Sequence, residues 1–139
     1  MNNRIDKTLY TGKTHTTGGR NGQSRSSDGR LDVALSTPGG PGAGTNPEQL
    51  LAAGWSACFL GAIGKAAAEK KVIVPAGTSL DAEIDLGQGQ TGYHLQARLY
   101  VKLPGLDRDT AQALLATAHE TCPYSKALRG NVDVEIHLA

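Results

Sequence analysis

The fold depends on residues 46–70, which read NPEQLLAAGWSACFLGAIGKAAAEK. Asn46 is a favourable helix N-cap, and the glutamine three residues later completes a capping box. From residue 50 to residue 64 every side chain is apolar or small except Ser56, so no polar stripe is available to face water. The stretch therefore predicts one long buried helix with Cys58 near its middle.

Chain length, composition and net charge exclude several classes of protein. A chain of 139 residues with 39% hydrophobic and 19% charged residues is typical of one globular domain spanning residues 1–139. The net charge of +1 predicts no nucleic-acid partner and no anionic membrane surface. The N-terminal residues carry no apolar leader, and the apolar run of residues 50–64 is shorter than the about 20 residues that cross a bilayer. We expect a cytoplasmic protein with no membrane partner.

The rest of the chain predicts an α+β fold. Glycine-rich turns and alternating apolar residues indicate strands at residues 7–17, 24–27, 31–35, 78–86, 93–103 and 132–138. Two further helical segments follow the pair of long strands: residues 107–119, capped by Asp107, and a short turn from Pro123 to Gly130. The predicted order is therefore βββ-α-ββ-αα-β around a long buried central helix.

The two cysteines are the candidate reactive groups, with 63 residues between them. A thiol is nucleophilic as thiolate, and an apolar environment raises its pKa, so a buried Cys58 needs a nearby cation to react. Arg20 follows a Gly-Gly turn, where backbone can approach a buried site closely. An arginine brought inside needs a carboxylate partner, and Glu48 is the candidate.

Distance along the helix constrains this site. Glu48 and Cys58 are ten residues apart, which is about 15 Å along a helix axis. One arginine cannot easily reach both groups in the same chain. We therefore hypothesise that Arg20, Glu48 and Cys58 meet across a dimer interface, with at least one of them supplied by the second subunit.

Cys122 precedes Pro123 at a helix break, where the chain can rearrange, and this position suits a resolving thiol. The residues alone leave other interpretations open. Both cysteines could simply pack in the core. Glu48 could serve only to stabilise the helix dipole, and Arg20 could be a solvent-exposed turn residue. A zinc site built from the two cysteines, His119 and a second histidine is a further alternative, although no close cysteine pair supports it.

Taken together, these residues resemble the organic hydroperoxide resistance subgroup of the OsmC superfamily of thiol peroxidases. The similarity covers nearly the whole chain and is carried by short motifs in a fixed order. These motifs are Leu9-Tyr10-Thr11, Gly18-Gly19-Arg20, Asp28-Gly29, Thr45-Asn46-Pro47-Glu48-Gln49-Leu50, Ala57-Cys58-Phe59, Cys122-Pro123-Tyr124-Ser125-Lys126-Ala127 and Arg129-Gly130-Asn131. The residues Asn21, Leu51, Trp55 and Leu128 depart from the pattern usual in that subgroup.

The resemblance implies a function and roles for four residues. Cys58 matches the peroxidatic cysteine, Cys122 the resolving cysteine, and Arg20 and Glu48 the residues that complete the site. The implied activity is a peroxidase that reduces organic hydroperoxides to alcohols through a Cys58 sulfenic acid and a Cys58–Cys122 disulfide. The resemblance also implies a lipoyl dithiol such as dihydrolipoamide as reductant, no metal or other cofactor, and an OsmC-like intertwined homodimer with mixed sheets shared between subunits.

Apolar residues beside Cys58, such as Leu51 and Phe59, favour alkyl and fatty-acid hydroperoxides over hydrogen peroxide as substrates. Two other functions remain open. One is a non-catalytic dimer that binds apolar ligands beside the buried helix, with the cysteines as packing. The other is a thiol redox sensor that oxidises once and passes the signal to a partner.

Overall fold

The computed structural model describes residues 3–139. Its chain forms two compact units, one ending at Pro47 and the other comprising Glu48–Ala139. Each unit contains one three-stranded sheet, and the second also contains nearly all the helical residues. The chain thus has the predicted α+β composition, while a single domain over the whole chain stays a prediction.

The first unit is an antiparallel meander, as predicted. Its strands are β1 (Thr14–Thr17), β2 (Gln23–Ser26) and β3 (Asp32–Ala34). The turn between β2 and β3 uses Asp28 and Gly29, the pair that the sequence marks as a hairpin signal. The Asp28 carboxylate accepts a 2.6 Å hydrogen bond from the Ser26 hydroxyl, and Gly29 has a φ of 75°, which favours glycine. Between β1 and β2 lies a 3-10 turn, Gly19–Asn21.

The first strand is shorter than predicted. The sequence predicts residues 7–17 as a strand, but β1 begins at Thr14, because β2 supplies ladder partners only for its four residues. The preceding segment is exposed and includes Leu9 and Tyr10, which are 87% and 80% accessible. An extended segment without a partner strand satisfies its backbone with water instead of with a sheet.

The central helix α1 spans Pro47–Glu69 and agrees with the predicted boundaries within one residue at each end. Trp55, Phe59 and Ile63, spaced four residues apart, are completely buried. On the opposite side of α1, Ala53 and Ala57 are exposed. The prediction of a helix buried on all sides therefore holds for only one face of α1 within a single chain.

By length and composition α1 is able to cross a membrane. It has 23 residues, and the mean hydropathy of its most apolar 18-residue window is 1.4. The expectation that this segment is too short to span a bilayer is therefore wrong as an argument from length. Core helices of soluble proteins pass the same test, and 28% of this window is buried inside the structure.

The second sheet lies in the other unit. It consists of β4 (Ser79–Gly89), β5 (Gly92–Lys102) and β6 (Asp133–Leu138), with β5 in the middle. β4 and β5 form an antiparallel hairpin whose turn is only Gln90 and Thr91, so the strands run further into the predicted loop of residues 87–92. β6 pairs with β5 in parallel.

Two helices make the crossover between β5 and β6, which parallel pairing requires. These helices are α2 (Arg108–Thr121) and α3 (Pro123–Leu128). The Asp107 carboxylate caps α2, accepting a 3.0 Å hydrogen bond from the Thr110 N–H, as the sequence predicts. The core is apolar and joins α1, the inner face of the sheet and α2; among its fully buried side chains are Trp55, Phe59, Ile63, Leu99, Val101, Leu114 and Cys122.

Candidate dithiol site

Helix α1 places Cys58 between the core and the surface. The neighbouring residue Phe59 is fully buried, whereas Ala57 on the other side of Cys58 is exposed. Cys58 itself is a half-buried free thiol. Cys58 therefore lies at the edge of the buried face of α1 and is partly exposed.

Cys122 lies at the junction of two helices. It is at once the C-cap of α2 and the N-cap of α3, with extended backbone angles of −62° and 122°. Pro123 follows at the first position of α3, where the missing N–H costs no hydrogen bond. The Cys122 side chain is completely buried, so the chain break directs this thiol inward.

The two thiols are in contact. The Sγ atoms of Cys58 and Cys122 are 3.2 Å apart, with the Cys122 thiol donating to the Cys58 sulfur. A disulfide requires about 2.05 Å between the sulfurs, so a shift of about 1 Å suffices to join them. The second unit alone therefore brings together two of the four residues that the sequence singled out.

The surroundings of Cys58 act on its ionisation in opposite directions. Burial is the largest influence and raises the pKa of the Cys58 thiol above its ordinary value. The Tyr124 backbone, at the start of α3, contributes a hydrogen bond that lowers the pKa of Cys58, while the Cys122 thiol raises it. The net direction is upward, as the sequence argument expects for a thiol placed in apolar surroundings.

Helix α3 is held against α1 by a buried polar contact. The Trp55 indole Nε1–H donates to the Ser125 Oγ at 3.0 Å, and neither side chain is accessible to solvent. This pair was not predicted from the sequence. The only available signal was that the single tryptophan, when buried, needs an acceptor for its N–H.

Arg20 and Glu48 lie in different units of the chain. Arg20 is half-buried in the 3-10 turn that follows Gly18. Gly18 has a φ of 75°, in the left-handed region that favours glycine. Glu48 is half-buried at the second position of α1, ten residues before Cys58, which corresponds to about 15 Å of helical rise. The roles expected for both residues, and the dimer hypothesis built on them, stay predictions.

Within residues 3–139 no group of three or more His, Cys, Asp and Glu side chains could hold a metal ion. His119 is one turn from Cys122, and its Nδ1 is buried without a hydrogen-bond partner. Burial, together with the charge of Arg129, lowers the pKa of His119. The described residues therefore contain no cluster of ligands that supports the alternative of a zinc site.

A pair of contacting thiols at a helix that is buried on one face defines a dithiol site in a small α+β protein. A family model described as "OsmC-like protein" matches residues 40–137 of the chain. Among curated relatives, the organic hydroperoxide resistance protein of Xanthomonas axonopodis pv. citri (strain 306) is 46% identical over 138 residues, covering 96% of this chain and 97% of the relative. The protein OhrB of Bacillus subtilis (strain 168) is 42% identical over 94% of this chain and 98% of its own length.

Solved structures agree with these relatives. The crystal structure of the organic hydroperoxide resistance protein OhrB of Bacillus subtilis superposes with a TM-score of 0.90 at 41% identity, covering 95% of this chain and all of that one. A putative organic hydroperoxide resistance protein of Vibrio cholerae was crystallised with captopril in one of its active sites. It superposes with a TM-score of 0.91 at 38% identity, covering 99% of this chain and 96% of that one. This chain therefore belongs to the organic hydroperoxide resistance group of the OsmC-like family.

Proposed function

We propose that this protein is a thiol-dependent peroxidase that reduces organic hydroperoxides to alcohols. The observation that carries the proposal is the 3.2 Å contact between the Cys58 and Cys122 sulfurs, one half-buried and the other fully buried. The names of its relatives, which concern resistance to organic hydroperoxides, point to the same chemistry. Two thiols so close together supply the nucleophile and the group that completes its oxidation.

In the first step the Cys58 thiolate attacks one oxygen of the hydroperoxide. The O–O bond breaks, the alkoxide takes a proton and leaves as the alcohol, and the Cys58 sulfur becomes a sulfenic acid. Cys58 is the attacking group because it is the thiol that substrate can reach, whereas Cys122 is fully buried.

In the second step Cys122 resolves the sulfenic acid. Its sulfur attacks the Cys58 sulfur, the S–O bond breaks, and the hydroxyl leaves as water after taking the Cys122 proton. The disulfide protects Cys58 from further oxidation. We propose a lipoyl dithiol, such as dihydrolipoamide or a lipoylated protein, as reductant; its thiolate attacks Cys58, the accessible sulfur, and Cys122 leaves first.

Arg20 and Glu48 complete the proposed site. Burial raises the pKa of Cys58, so the thiolate needs a positive charge, and an arginine remains charged at every working pH. Glu48 holds the guanidinium in place through paired hydrogen bonds. The site uses no metal or other cofactor, and substrate binds through the apolar neighbours of Cys58, which favour alkyl and fatty-acid hydroperoxides over hydrogen peroxide.

We further propose that the active form is an intertwined homodimer in the cytoplasm. Small side chains such as Ala53 and Ala57 leave one side of α1 exposed, and a Cβ added at Gly61 would meet nothing within 4 Å, so a second copy can approach this face closely. The exposed apolar segment around Leu9 and Tyr10 also gains a partner if it pairs with another chain. A reducing compartment suits a thiol pair that a dithiol must regenerate.

The proposal is tested by following cumene hydroperoxide consumption with dihydrolipoamide as reductant. The wild type should turn over many times, Cys58→Ser should be inactive, and Cys122→Ser should consume one equivalent and then stop. Equal efficiency with hydrogen peroxide would contradict the substrate preference. A folded, reduced wild type with no turnover would overturn the peroxidase and favour the apolar-ligand-binding dimer, whereas a single oxidation with no turnover would favour the redox sensor.

A further inference from the structure

The buried hydrogen bond between Trp55 and Ser125 lies beside both thiols. Trp55 precedes Cys58 by three residues on α1, and Ser125 follows Cys122 by three residues on α3. The donor and acceptor are 3.0 Å apart, and both side chains are inaccessible to solvent. A buried indole N–H that loses its acceptor incurs the full cost of desolvation, so this bond strongly favours one position of α3 on α1.

A second contact supports the same placement. Tyr124 lies against α1 at Gly54, so closely that a Cβ added to Gly54 would be 2.7 Å from the tyrosine hydroxyl oxygen. The Tyr124 backbone in turn hydrogen-bonds to Cys58 and lowers its pKa. The Cys122 N–H donates to the Ala118 carbonyl and so ties this residue to the end of α2. Helix α3, which begins directly after Cys122, has only six residues, so its place on α1 depends on contacts between side chains.

We infer that Trp55 and Ser125 are positioning residues for disulfide formation. Their hydrogen bond holds the start of α3 on α1 and thereby keeps the Cys122 sulfur within reach of Cys58. This role rests on the proposed peroxidase and concerns its second step only. Resolution joins the two sulfurs and releases water; in the competing reaction a second hydroperoxide oxidises the Cys58 sulfenic acid to the sulfinic acid and releases a second alcohol.

The test measures how the sulfenic acid divides between these two reactions. Ser125→Ala removes the acceptor, and Trp55→Phe removes the donor while keeping an aromatic ring in the core. Each protein is treated with increasing cumene hydroperoxide in the presence of dihydrolipoamide, and mass spectrometry gives the fraction of Cys58 that carries two added oxygens per turnover. Val101→Ala, a core substitution on β5 outside the hydrogen bond, is the control for general destabilisation.

We expect both variants to raise the sulfinic fraction per turnover roughly fivefold, the effect of losing one net hydrogen bond. The sulfinic fraction per turnover compares two fates of the same sulfenic acid, so it reports the second step even where a looser α3 also changes the Tyr124 contact with Cys58 and the rate of the first oxidation. The double variant should be no worse than either single one, because the two side chains act as one unit. The inference would be overturned if both variants showed the same sulfinic fraction per turnover as the wild type, or if Val101→Ala raised that fraction equally. A wild type that neither consumes hydroperoxide nor forms the disulfide would instead overturn the proposed peroxidase, and this role with it.

Discussion

Cys58 is both the most reachable thiol of the chain and one whose immediate surroundings oppose ionisation. Burial raises its pKa, and the adjacent Cys122 thiol adds to that effect. The hydrogen bond from the Tyr124 backbone lowers the pKa but does not reverse the net direction. A residue of this kind becomes a fast nucleophile only when a cation stabilises the thiolate.

Removal of Arg20 should therefore slow the first step. In Arg20→Ala we expect the pKa of Cys58 to rise and peroxide consumption to slow, because the thiolate loses a nearby opposite charge. The measurement is the rate of Cys58 alkylation by iodoacetamide as a function of pH, beside the rate of peroxide consumption. Arg20→Lys is the matched control, since it keeps the charge and should recover part of the rate. An unchanged pH profile in Arg20→Ala would exclude Arg20 from the site.

At the scale of single elements, the β4–β5 hairpin carries a charged cluster on its outer face. Arg98 binds Asp85 through two 2.9 Å hydrogen bonds and Glu83 through one of 2.8 Å, while the Gln96 amide donates to Asp85 at 2.6 Å. These contacts, first with Arg98 and then with Gln96, lower the pKa of Asp85 from 3.8 to about 2. The cluster pairs side chains across the two strands.

Acid should weaken this hairpin in a defined window. Because the pKa of Asp85 is lower in the folded state, its ion pair stabilises the fold above pH 3.8, and that contribution disappears as the pH falls towards about 2. Asp85→Asn should be slightly less stable than the wild type at neutral pH and should lose less stability across the window. Thermal unfolding midpoints at several pH values measure this. Asp81→Asn on the same strand is the control, and identical acid profiles for wild type and Asp85→Asn would contradict the prediction.

The inner face of the same sheet supplies core packing. Leu99 on β5 is completely buried, so Leu99→Ala should lower the free energy of unfolding by about 3 kcal/mol through lost contacts and a residual cavity. Leu86→Ala on β4 is the matched control; this leucine is 47% exposed and should lose less than about 1 kcal/mol. Denaturant unfolding of both variants gives the comparison, and equal losses would show that burial does not decide the effect.

These elements show what local sequence determines. The alternation of Leu99 and Val101, the cap at Asp107 and the apolar run of α1 each depend on neighbouring residues, so the sequence predicts the corresponding helices and strands closely. The strand predicted from residue 7 fails before Thr14 because a strand also needs a partner, which local alternation does not supply. The Trp55–Ser125 contact was equally out of reach, since it joins residues 70 positions apart.

At the scale of the whole molecule, the exposed side of α1 predicts an association between copies. Ala57→Leu adds bulk to that exposed side and should shift a dimer towards monomer at micromolar concentration, measured by light scattering after size-exclusion chromatography. Ala116→Leu, the same substitution at an exposed position of α2, is the control and should leave the mass unchanged. A monomeric wild type would contradict the proposed dimer directly.

Some residues of the candidate site were easier to predict from the sequence than others. Cys58 and Cys122 were identified by their positions on a buried helix and at a helix break, and the fold brings their sulfurs together. The roles of Arg20 and Glu48 depend on how separate parts of one or two chains assemble, which residue patterns do not encode. Their assignment therefore depends on the family resemblance and on the substitutions described above.

The close approach of Tyr124 to Gly54 also limits how this protein can evolve. A side chain at position 54 requires Tyr124 to shift, because an added Cβ would lie 2.7 Å from its hydroxyl oxygen and 3.1 Å from the ring carbon that bears it. Loss of the hydroxyl removes the shorter of these two contacts and leaves one that a shift of a few tenths of an ångström relieves. A lineage that has first changed the tyrosine therefore accepts a substitution at the glycine more readily than one that keeps it.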